Sequence, residues 1–161
     1  MKCKERLEAF LRENKVPYQL HHHPLAYTAQ EVAASEHVSG KMMAKVVLLF
    51  ARNGQERMVM VVLPAPLHVD VEKAARALGA KSARLARESE FAAAFPDCEV
   101  GAMPPFGSFY DVPVFVEEAL TKQDHIIFRA GTHTDTIALK YSDFERLAKP
   151  KVVEVSSHIA C

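Results

Sequence analysis

The sequence predicts an α/β or α+β fold with a mixed sheet rather than a purely parallel one. Amphipathic helical segments and β-rich apolar runs alternate along the chain, and two of those runs flank the hairpin signal Asn53-Gly54. The chain has 161 residues, of which 49% are apolar and 25% are charged, and this composition suits one folded domain with a real core.

The N-terminal part of the chain predicts a helix, a short strand and a second helix. Residues 3–14 carry apolar side chains at helical spacing, which indicates an amphipathic helix. Residues 18–22 read as a short extended piece. Thr28 and Glu31 match a capping box, so the next helix is expected to run from there to about residue 35.

Two long apolar runs predict the centre of the sheet. Residues 43–50 and 57–63 are rich in β-formers and predict central strands joined as a hairpin, with a connection longer than a two-residue turn. Asp70 is expected to cap a helix that Gly79 ends, because a short acidic side chain suits the first position and glycine the last. Residues 83–86 predict a short strand.

The C-terminal part of the chain predicts two more helices, capped by Ser89 and Ser142. We expect one domain over 1–161 whose compact part is about 1–150, followed by a C-terminal tail or an edge strand at 151–161. Between the two helices lie three strand candidates, at 113–116, 125–129 and 135–139.

Composition excludes several classes of protein. The 20 basic residues balance the 20 acidic ones, which argues against DNA or long nucleic acid as a partner but permits contact with the end of an RNA. No apolar run reaches the roughly 18 residues that a membrane span needs, so no membrane partner is expected. Cys3, Cys98 and Cys161 are odd in number and far apart, which suggests neither a disulfide framework nor a thiolate zinc site, and a reducing cytoplasm is the expected location.

A glycine- and proline-rich segment is the most unusual local feature. Residues 101–107 read Gly-Ala-Met-Pro-Pro-Phe-Gly, a composition that excludes a helix interior or a central strand. The segment predicts a stiff loop with free backbone N–H groups at its glycine ends, and such donors can hold a ligand carbonyl or a developing oxyanion. A purely structural turn is the alternative.

Lys45 lies inside the first predicted central strand rather than on its flank. By the alternation of side chains along a strand it shares a face with Val47 and Leu49. A lysine there must extend to solvent, form a pair or open onto a cavity. A lysine in a cavity can hold a phosphate or a polar ligand group as a point charge. The alternative is a lysine at the end of the strand that reaches solvent.

Histidines supply the remaining candidate groups. In an extended strand His21 and His23 point one way and His22 the other, so too few ligands share a face, and we predict neither a metal nor a cofactor. His133 lies in the segment Gly-Thr-His-Thr-Asp between two predicted strands. It is either a general base or substrate hydrogen-bond partner, or part of a polar hairpin loop.

These pieces together resemble the YbaK / prolyl-tRNA synthetase-associated domain family of aminoacyl-tRNA editing domains. The specific part of the resemblance is the Gly-x-x-x-Pro loop from Gly101 to Pro105, downstream of the strand lysine Lys45. The resemblance implies a curved, mixed and mostly antiparallel sheet surrounded by helices, with Lys45 as the functional lysine. His133 lies near the position where some relatives place a substrate-contacting histidine or asparagine. Further matching segments are His23-Pro24, Tyr27-Thr28, Val61 to Ala65, Leu78-Gly79 and Ala130-Gly131.

The resemblance also implies a reaction, the hydrolysis of mischarged aminoacyl-tRNA by a free-standing enzyme. The expected partners are the tRNA acceptor end, with proline tRNA first, and an aminoacyl-tRNA synthetase. The guest amino acid is expected to be small: alanine, cysteine, serine or threonine. The alternatives are a non-catalytic module that binds an amino acid, a nucleotide or a tRNA end, and a metal hydrolase that uses the histidines. Besides Lys45, Gly101 and His133, the predicted site residues are Tyr27, Met42, Ala102, Met103, Pro105, Phe106, Gly107 and Gly131.

Overall fold

The computed structural model describes residues 2–23 and 40–157. Within these ranges no helix is both long enough and apolar enough to cross a bilayer. The helix predicted from Thr28 lies outside the described residues. The α-helices are α1 (Cys3–Glu13), α2 (Val71–Ala77), α3 (Glu88–Ala94) and α4 (Tyr141–Ala148), and two 3₁₀ helices span Gly107–Tyr110 and Glu118–Lys122.

Two main sheets and a small two-stranded ladder carry the fold. The larger sheet has the order β5-β2-β3-β6-β9, in which β2 is antiparallel to both neighbours and β6 is parallel to both. The smaller sheet, β1-β8-β7, is antiparallel, as is the ladder of β4 with β10. The mixed, mostly antiparallel fold that the sequence predicts is confirmed. The strands are β1 (Gln19–His22), β2 (Ala44–Asn53), β3 (Gln55–Pro64), β4 (His68–Val69), β5 (Ser82–Leu85), β6 (Val114–Glu117), β7 (His125–Arg129), β8 (Asp135–Lys140), β9 (Lys151–Val153) and β10 (Ser156–Ser157).

The central hairpin is tighter than the sequence suggests. Strands β2 and β3 stay paired up to Asn53 and Gln55, which directly flank Gly54. Gly54 has a φ of +92°, a conformation that a residue without a side chain adopts at little cost. The prediction of a longer connection is therefore wrong, whereas the central position of both strands is confirmed.

Two apolar clusters occupy the two faces of the larger sheet. Alternation along β3 sends Met60 and Val62 into the larger cluster, and Val61 and Leu63 into the smaller one. The larger cluster also takes in apolar side chains of α1, α4, β7 and β8, whereas the smaller one is covered by α2 and the C-terminal segment. Phe106 is central to the larger cluster.

Helix starts differ from the sequence prediction at two of three sites. Asp70 caps α2 as expected, since its Oδ1 accepts the backbone N–H groups of Glu72 and Lys73 at 3.1 Å. Helix α3 begins earlier than predicted, with Arg87 rather than Ser89 at the N-cap, and α4 has Lys140 rather than Ser142 there. At α3 the earlier start is fixed locally, because the Glu90 carboxylate accepts the Arg87 backbone N–H at 2.8 Å.

The segment after Pro150 is not a free tail. Its first part, β9, is the edge strand of the larger sheet, parallel to β6, and β10 pairs with β4. The buried Glu117 carboxylate accepts the backbone N–H groups of Val155 and Ser156 at 3.0 and 3.1 Å. Of the two alternatives for the C-terminus, the edge strand is the one observed as far as residue 157.

A disulfide joins Cys3, at the start of α1, to Cys98, which precedes the glycine- and proline-rich loop. The expectation that the cysteines are too far apart to pair is wrong for these two, because folding brings together residues 95 positions apart. Gly131 lies against the same bond, and a Cβ on Gly131 would be 2.8 Å from Cys3 Sγ. This close approach explains why a glycine is needed there.

Candidate functional site

The glycine- and proline-rich loop, residues 101–107, reaches the protein surface at Gly101. Residues 102–107 are buried, whereas Gly101 is exposed and has a φ of +83°. A left-handed backbone at this point turns the chain outward, and it strongly favours glycine. The loop therefore presents one peptide edge to solvent on a base of buried apolar residues.

The side chains of Arg129, His133 and Glu99 form a network of hydrogen bonds that fixes the peptide at Gly101. The buried Arg129, at the end of β7, donates from one Nη to the Gly101 carbonyl at 3.0 Å and to His133 Nδ1 at 3.2 Å. His133 Nε2 donates to the Val100 carbonyl at 2.6 Å, and Glu99 accepts the His133 backbone N–H at 2.7 Å. With one ring nitrogen accepting and the other donating, His133 is held as the Nε2–H tautomer.

Three backbone donors of the loop, including the N–H of the buried Gly107, are unused within the described residues. The Ala102 N–H donates to the Glu99 carbonyl at 3.0 Å and the Phe106 N–H to the Pro104 carbonyl at 2.9 Å. The N–H groups of Gly101 and Met103 have no acceptor within residues 2–23 and 40–157. Free, fixed donors are what stabilisation of an ester carbonyl or an oxyanion requires.

The start of strand β2 lies next to strand β7. Met43 bridges Ile127 in parallel, and the Met42 carbonyl accepts the Ile127 N–H at 3.0 Å. Two residues further along each strand come Lys45 and Arg129, and side chains two residues apart share a face. Arg129 contacts Gly101, so strand β7 connects the start of β2 with the loop.

The Lys45 ammonium is half-buried, and none of the described carboxylates forms an ion pair with it. Burial lowers the pKa of Lys45 from its usual value, since desolvation disfavours the charged form. No residue in the described part of the chain forms a hydrogen bond or an ion pair with it. A partly desolvated cation without a counter-charge is suited to an anionic ligand.

Several residues predicted as pocket walls lie in the interior instead. Phe106 is fully buried, and its ring contacts those of Phe10, Phe128 and Phe144, so it belongs to the core. Ala102 and Met103 are buried with it. The other predicted residues vary in place: Tyr27 lies outside the described residues, Met42 is half-buried before β2, Pro105 is buried, Gly107 packs against Val112 and Val114, and Gly131 lies against Cys3.

Comparison with known proteins assigns the family. A model of the aminoacyl-tRNA editing domain matches residues 23–147, more than three quarters of the chain. The chain belongs to the aminoacyl-tRNA editing domain family. The resemblance read from the Gly-x-x-x-Pro loop and the strand lysine is thereby confirmed.

Individual relatives agree with this family. The multifunctional Ser/Thr-tRNA deacylase ProXp-y of Escherichia coli K12 is 30% identical over 102 residues, which are 63% of this chain. The match spans about 60% of the length of that curated relative. A crystal structure described as a candidate trans-editing enzyme for prolyl tRNA synthetase has a TM-score of 0.80 at 17% identity, covering 96% of this chain and 97% of its own. A hypothetical protein of 18% identity has a TM-score of 0.84 over 94% of this chain and 99% of its own.

This editing domain has a cavity beside Gly101 that sequence reasoning missed. Its volume is about 460 Å³, and it is lined by Glu88, Phe91, Val100, Gly101 and His133. Only the last two are predicted site residues. Arg129 was also missed, although an arginine in the apolar strand β7 is unusual enough to indicate a functional residue. Nothing in the sequence around Glu88 and Phe91 distinguishes them from other helix residues.

The histidine triplet does not form a metal centre in the described part of this editing domain. His21 and His22 are exposed and His23 is buried, and His22 Nδ1 lies 3.1 Å from an Asp135 carboxylate oxygen. Within the described residues, the one group with metal-ligand spacing is Cys3, Asp97 and Cys98, whose ligand atoms lie within 4.8 Å of one another. Two of those three are bonded to each other as a disulfide and do not offer thiolates.

Proposed function

We propose that this protein is a trans-editing deacylase that hydrolyses the ester bond of mischarged aminoacyl-tRNA. The proposal rests on the half-buried Lys45, which forms no hydrogen bond or ion pair within the described residues, together with the unused N–H groups of Gly101 and Met103. The family and the name of the curated relative support the same reaction.

The chemistry needs little more than these groups, because an aminoacyl ester is already reactive. Water attacks the ester carbonyl carbon, and the N–H groups of Gly101 and Met103 hold the oxygen as it becomes an oxyanion. The C–O bond to the ribose then breaks, and the ribose oxygen takes the proton that the water loses. The neighbouring ribose hydroxyl relays that proton, so no metal and no side-chain nucleophile is required.

His133 is a positioning residue in this mechanism. Its two ring nitrogens are occupied by Arg129 and by the Val100 carbonyl, so it holds the Val100–Gly101 peptide rather than taking a proton from water. Lys45 holds the phosphate of the 3′-terminal nucleotide. Both assignments place the ester at the exposed edge of Gly101.

The substrate is a small amino acid on a tRNA. The name of the Escherichia coli relative puts serine and threonine first among alanine, cysteine, serine and threonine. The description of the structural neighbour favours proline tRNA and a prolyl-tRNA synthetase as partner. A synthetase distinguishes such small side chains by only about 1–3 kcal/mol, which leaves errors for a second site to hydrolyse. Because aminoacyl-tRNA is a cytoplasmic substrate, we place the protein in the cytoplasm.

A deacylation assay on a panel of mischarged tRNAs, run with EDTA, tests this proposal. We expect turnover of at least one of alanyl-, cysteinyl-, seryl- or threonyl-tRNA, unaffected by the chelator. Lys45→Ala should reduce kcat/KM by about 10-fold or more, since a charge-assisted phosphate contact contributes roughly 1.5–3 kcal/mol. Lys151→Ala, which removes an exposed lysine on β9, is the matched control and should leave the rate unchanged.

The other outcomes decide between the alternatives. Tight binding of tRNA ends without turnover on any member of the panel would identify a non-catalytic module. Activity abolished by EDTA would identify a metal hydrolase. Wild-type rates for Lys45→Ala would show that the lysine does not contact the substrate.

A further inference from the structure

The cavity beside Gly101 is wide and open, and part of its lining comes from helix α3, which the proposed reaction does not use. Glu88 and Phe91 come from helix α3, while Val100 and Gly101 come from the loop. Phe91 packs against the larger core cluster and stays partly exposed, and Val100 is 41% exposed. The cavity therefore has apolar walls that solvent can reach, directly next to the N–H groups that would hold the ester.

Its size does not suit a small amino-acid side chain. A site that selects alanine or serine by size must close around a few atoms. At about 460 Å³ the cavity lies instead in the range of about 300–1,000 Å³ that is typical of sites for larger organic ligands. A nucleoside has the matching dimensions.

Its chemistry suits a base rather than a phosphate. An aromatic side chain such as Phe91 offers a face on which a base stacks. Glu88 forms no ion pair or hydrogen bond within the described part of the chain, so its carboxylate remains available as an acceptor. A carboxylate repels phosphate but accepts a hydrogen bond from an exocyclic amino group.

We infer that this cavity binds the terminal adenine base of the aminoacyl-tRNA, with Phe91 stacking on the base and Glu88 accepting from its amino group. The inference rests on the proposed function, since it places the ribose at Gly101 and the terminal phosphate toward Lys45. The amino acid then lies on the far side of Gly101 from the base. Helix α3 thus recognises the RNA end, while the loop acts on the ester.

Steady-state hydrolysis of a mischarged minihelix RNA tests the stacking. Phe91→Leu, which keeps an apolar contact with the core but has no ring, should raise KM by about 5- to 150-fold, the range for loss of one stacked base. kcat should change little, and Phe91→Tyr should retain the wild-type KM. Ser89→Ala, on the same helix but outside the cavity, is the control for damage to α3.

A second experiment tests the hydrogen bond between the adenine amino group and Glu88. Minihelices that end in purine riboside, which lacks the 6-amino group, should show a KM raised by about 5-fold or more with the wild-type protein. With Glu88→Ala, the two terminal bases should give equal KM values, because the acceptor is gone. Additive effects of the base change and the substitution would contradict the contact.

The result separates this inference from the proposed function. Unchanged KM for Phe91→Leu and Glu88→Ala, with normal wild-type turnover, overturns the adenine site and leaves the deacylase standing. If the wild-type protein turns over no mischarged RNA, the proposed deacylase activity is refuted. Titration of the protein with adenosine then tests whether the cavity binds the base. Shifts of the Phe91 ring resonances with adenosine but not with uridine would support the site, and their absence would refute it.

Discussion

Gly101 shows how one residue sets the chemistry of this loop. Its φ of +83° lies in the left-handed region, and its carbonyl accepts a hydrogen bond from Arg129. A side chain at this position meets only ordinary van der Waals contact, 3.6 Å from a ring carbon of His133. The backbone conformation, rather than crowding, is therefore what requires glycine.

We expect Gly101→Ala to reduce deacylation more than it reduces stability. An L-residue in the left-handed region costs roughly 1–2 kcal/mol, and the loop can relieve this strain by turning the peptide that carries the donor. Gly79→Ala is the matched control: φ is +69°, the surrounding space is open, and the residue ends α2 outside the site. Thermal unfolding should show similar losses for the two variants, with kcat/KM lowered at least 10-fold only for Gly101→Ala. Equal activity of the two would refute the role of the Gly101 N–H.

Sequence reasoning selected Lys45, Gly101 and His133 because each departs from its local pattern. A charge in an apolar strand and a segment rich in glycine and proline are visible without a structure. Arg129 departs in the same way in β7, but its contact with Gly101 joins residues 28 positions apart. The cavity residues on α3 obey the ordinary pattern of an exposed helix, so the sequence could not single them out.

The C-terminal segment shows how an element far from the site is held in place. Burial acts to raise the pKa of Glu117, but hydrogen bonds from Ala119, Ser156 and Val155 outweigh it and hold the pKa below its usual value. The carboxylate is thus more stable ionised in the folded protein than in the unfolded chain. It anchors β9 and β10 to the end of β6.

Glu117→Gln should lower stability in a pH-dependent way. Because the folded pKa is depressed, the contribution of Glu117 is complete above the unfolded value of about 4.3, and it is lost as pH falls through the lower folded value. At pH 7 we expect a loss of about 1–3 kcal/mol in the free energy of unfolding, measured by urea titration. The difference from the wild type should shrink below about pH 4. Glu13→Gln, at an exposed site at the end of α1, should show no such difference at any pH.

At the scale of the whole molecule, the disulfide ties the N-terminal helix to the region that carries the loop. The Cys3 N–H also donates to the Asp97 carbonyl at 3.1 Å, so α1 is fixed there by backbone as well as by sulfur. The bond joins positions 95 residues apart, and a bond across so long a stretch restricts the unfolded chain strongly.

Oxidation of Cys3 and Cys98 to the disulfide should raise the melting temperature of the protein. Closing a loop of this length contributes about 4 to 5 kcal/mol by chain entropy, which corresponds to roughly 10 °C in melting temperature for a chain of this size. Scanning calorimetry of oxidised and reduced protein should show the difference, and Cys98→Ser should abolish it. Cys161→Ser is the control and should preserve it. Equal melting temperatures in both redox states would show that the bond does not form in solution.

The sequence by itself determined the elements of this protein and the type of site it carries. Helical spacing, β-rich runs and turn residues act over a few neighbouring positions, so they predict α1, the β2–β3 hairpin and the glycine loop with no knowledge of the rest. The tertiary structure alone decided the Arg129–Gly101 and His133–Val100 contacts, the pairing of Cys3 with Cys98, and the cavity against α3. Each of these joins groups that are distant in sequence, and such contacts depend on how the whole chain packs rather than on any local pattern.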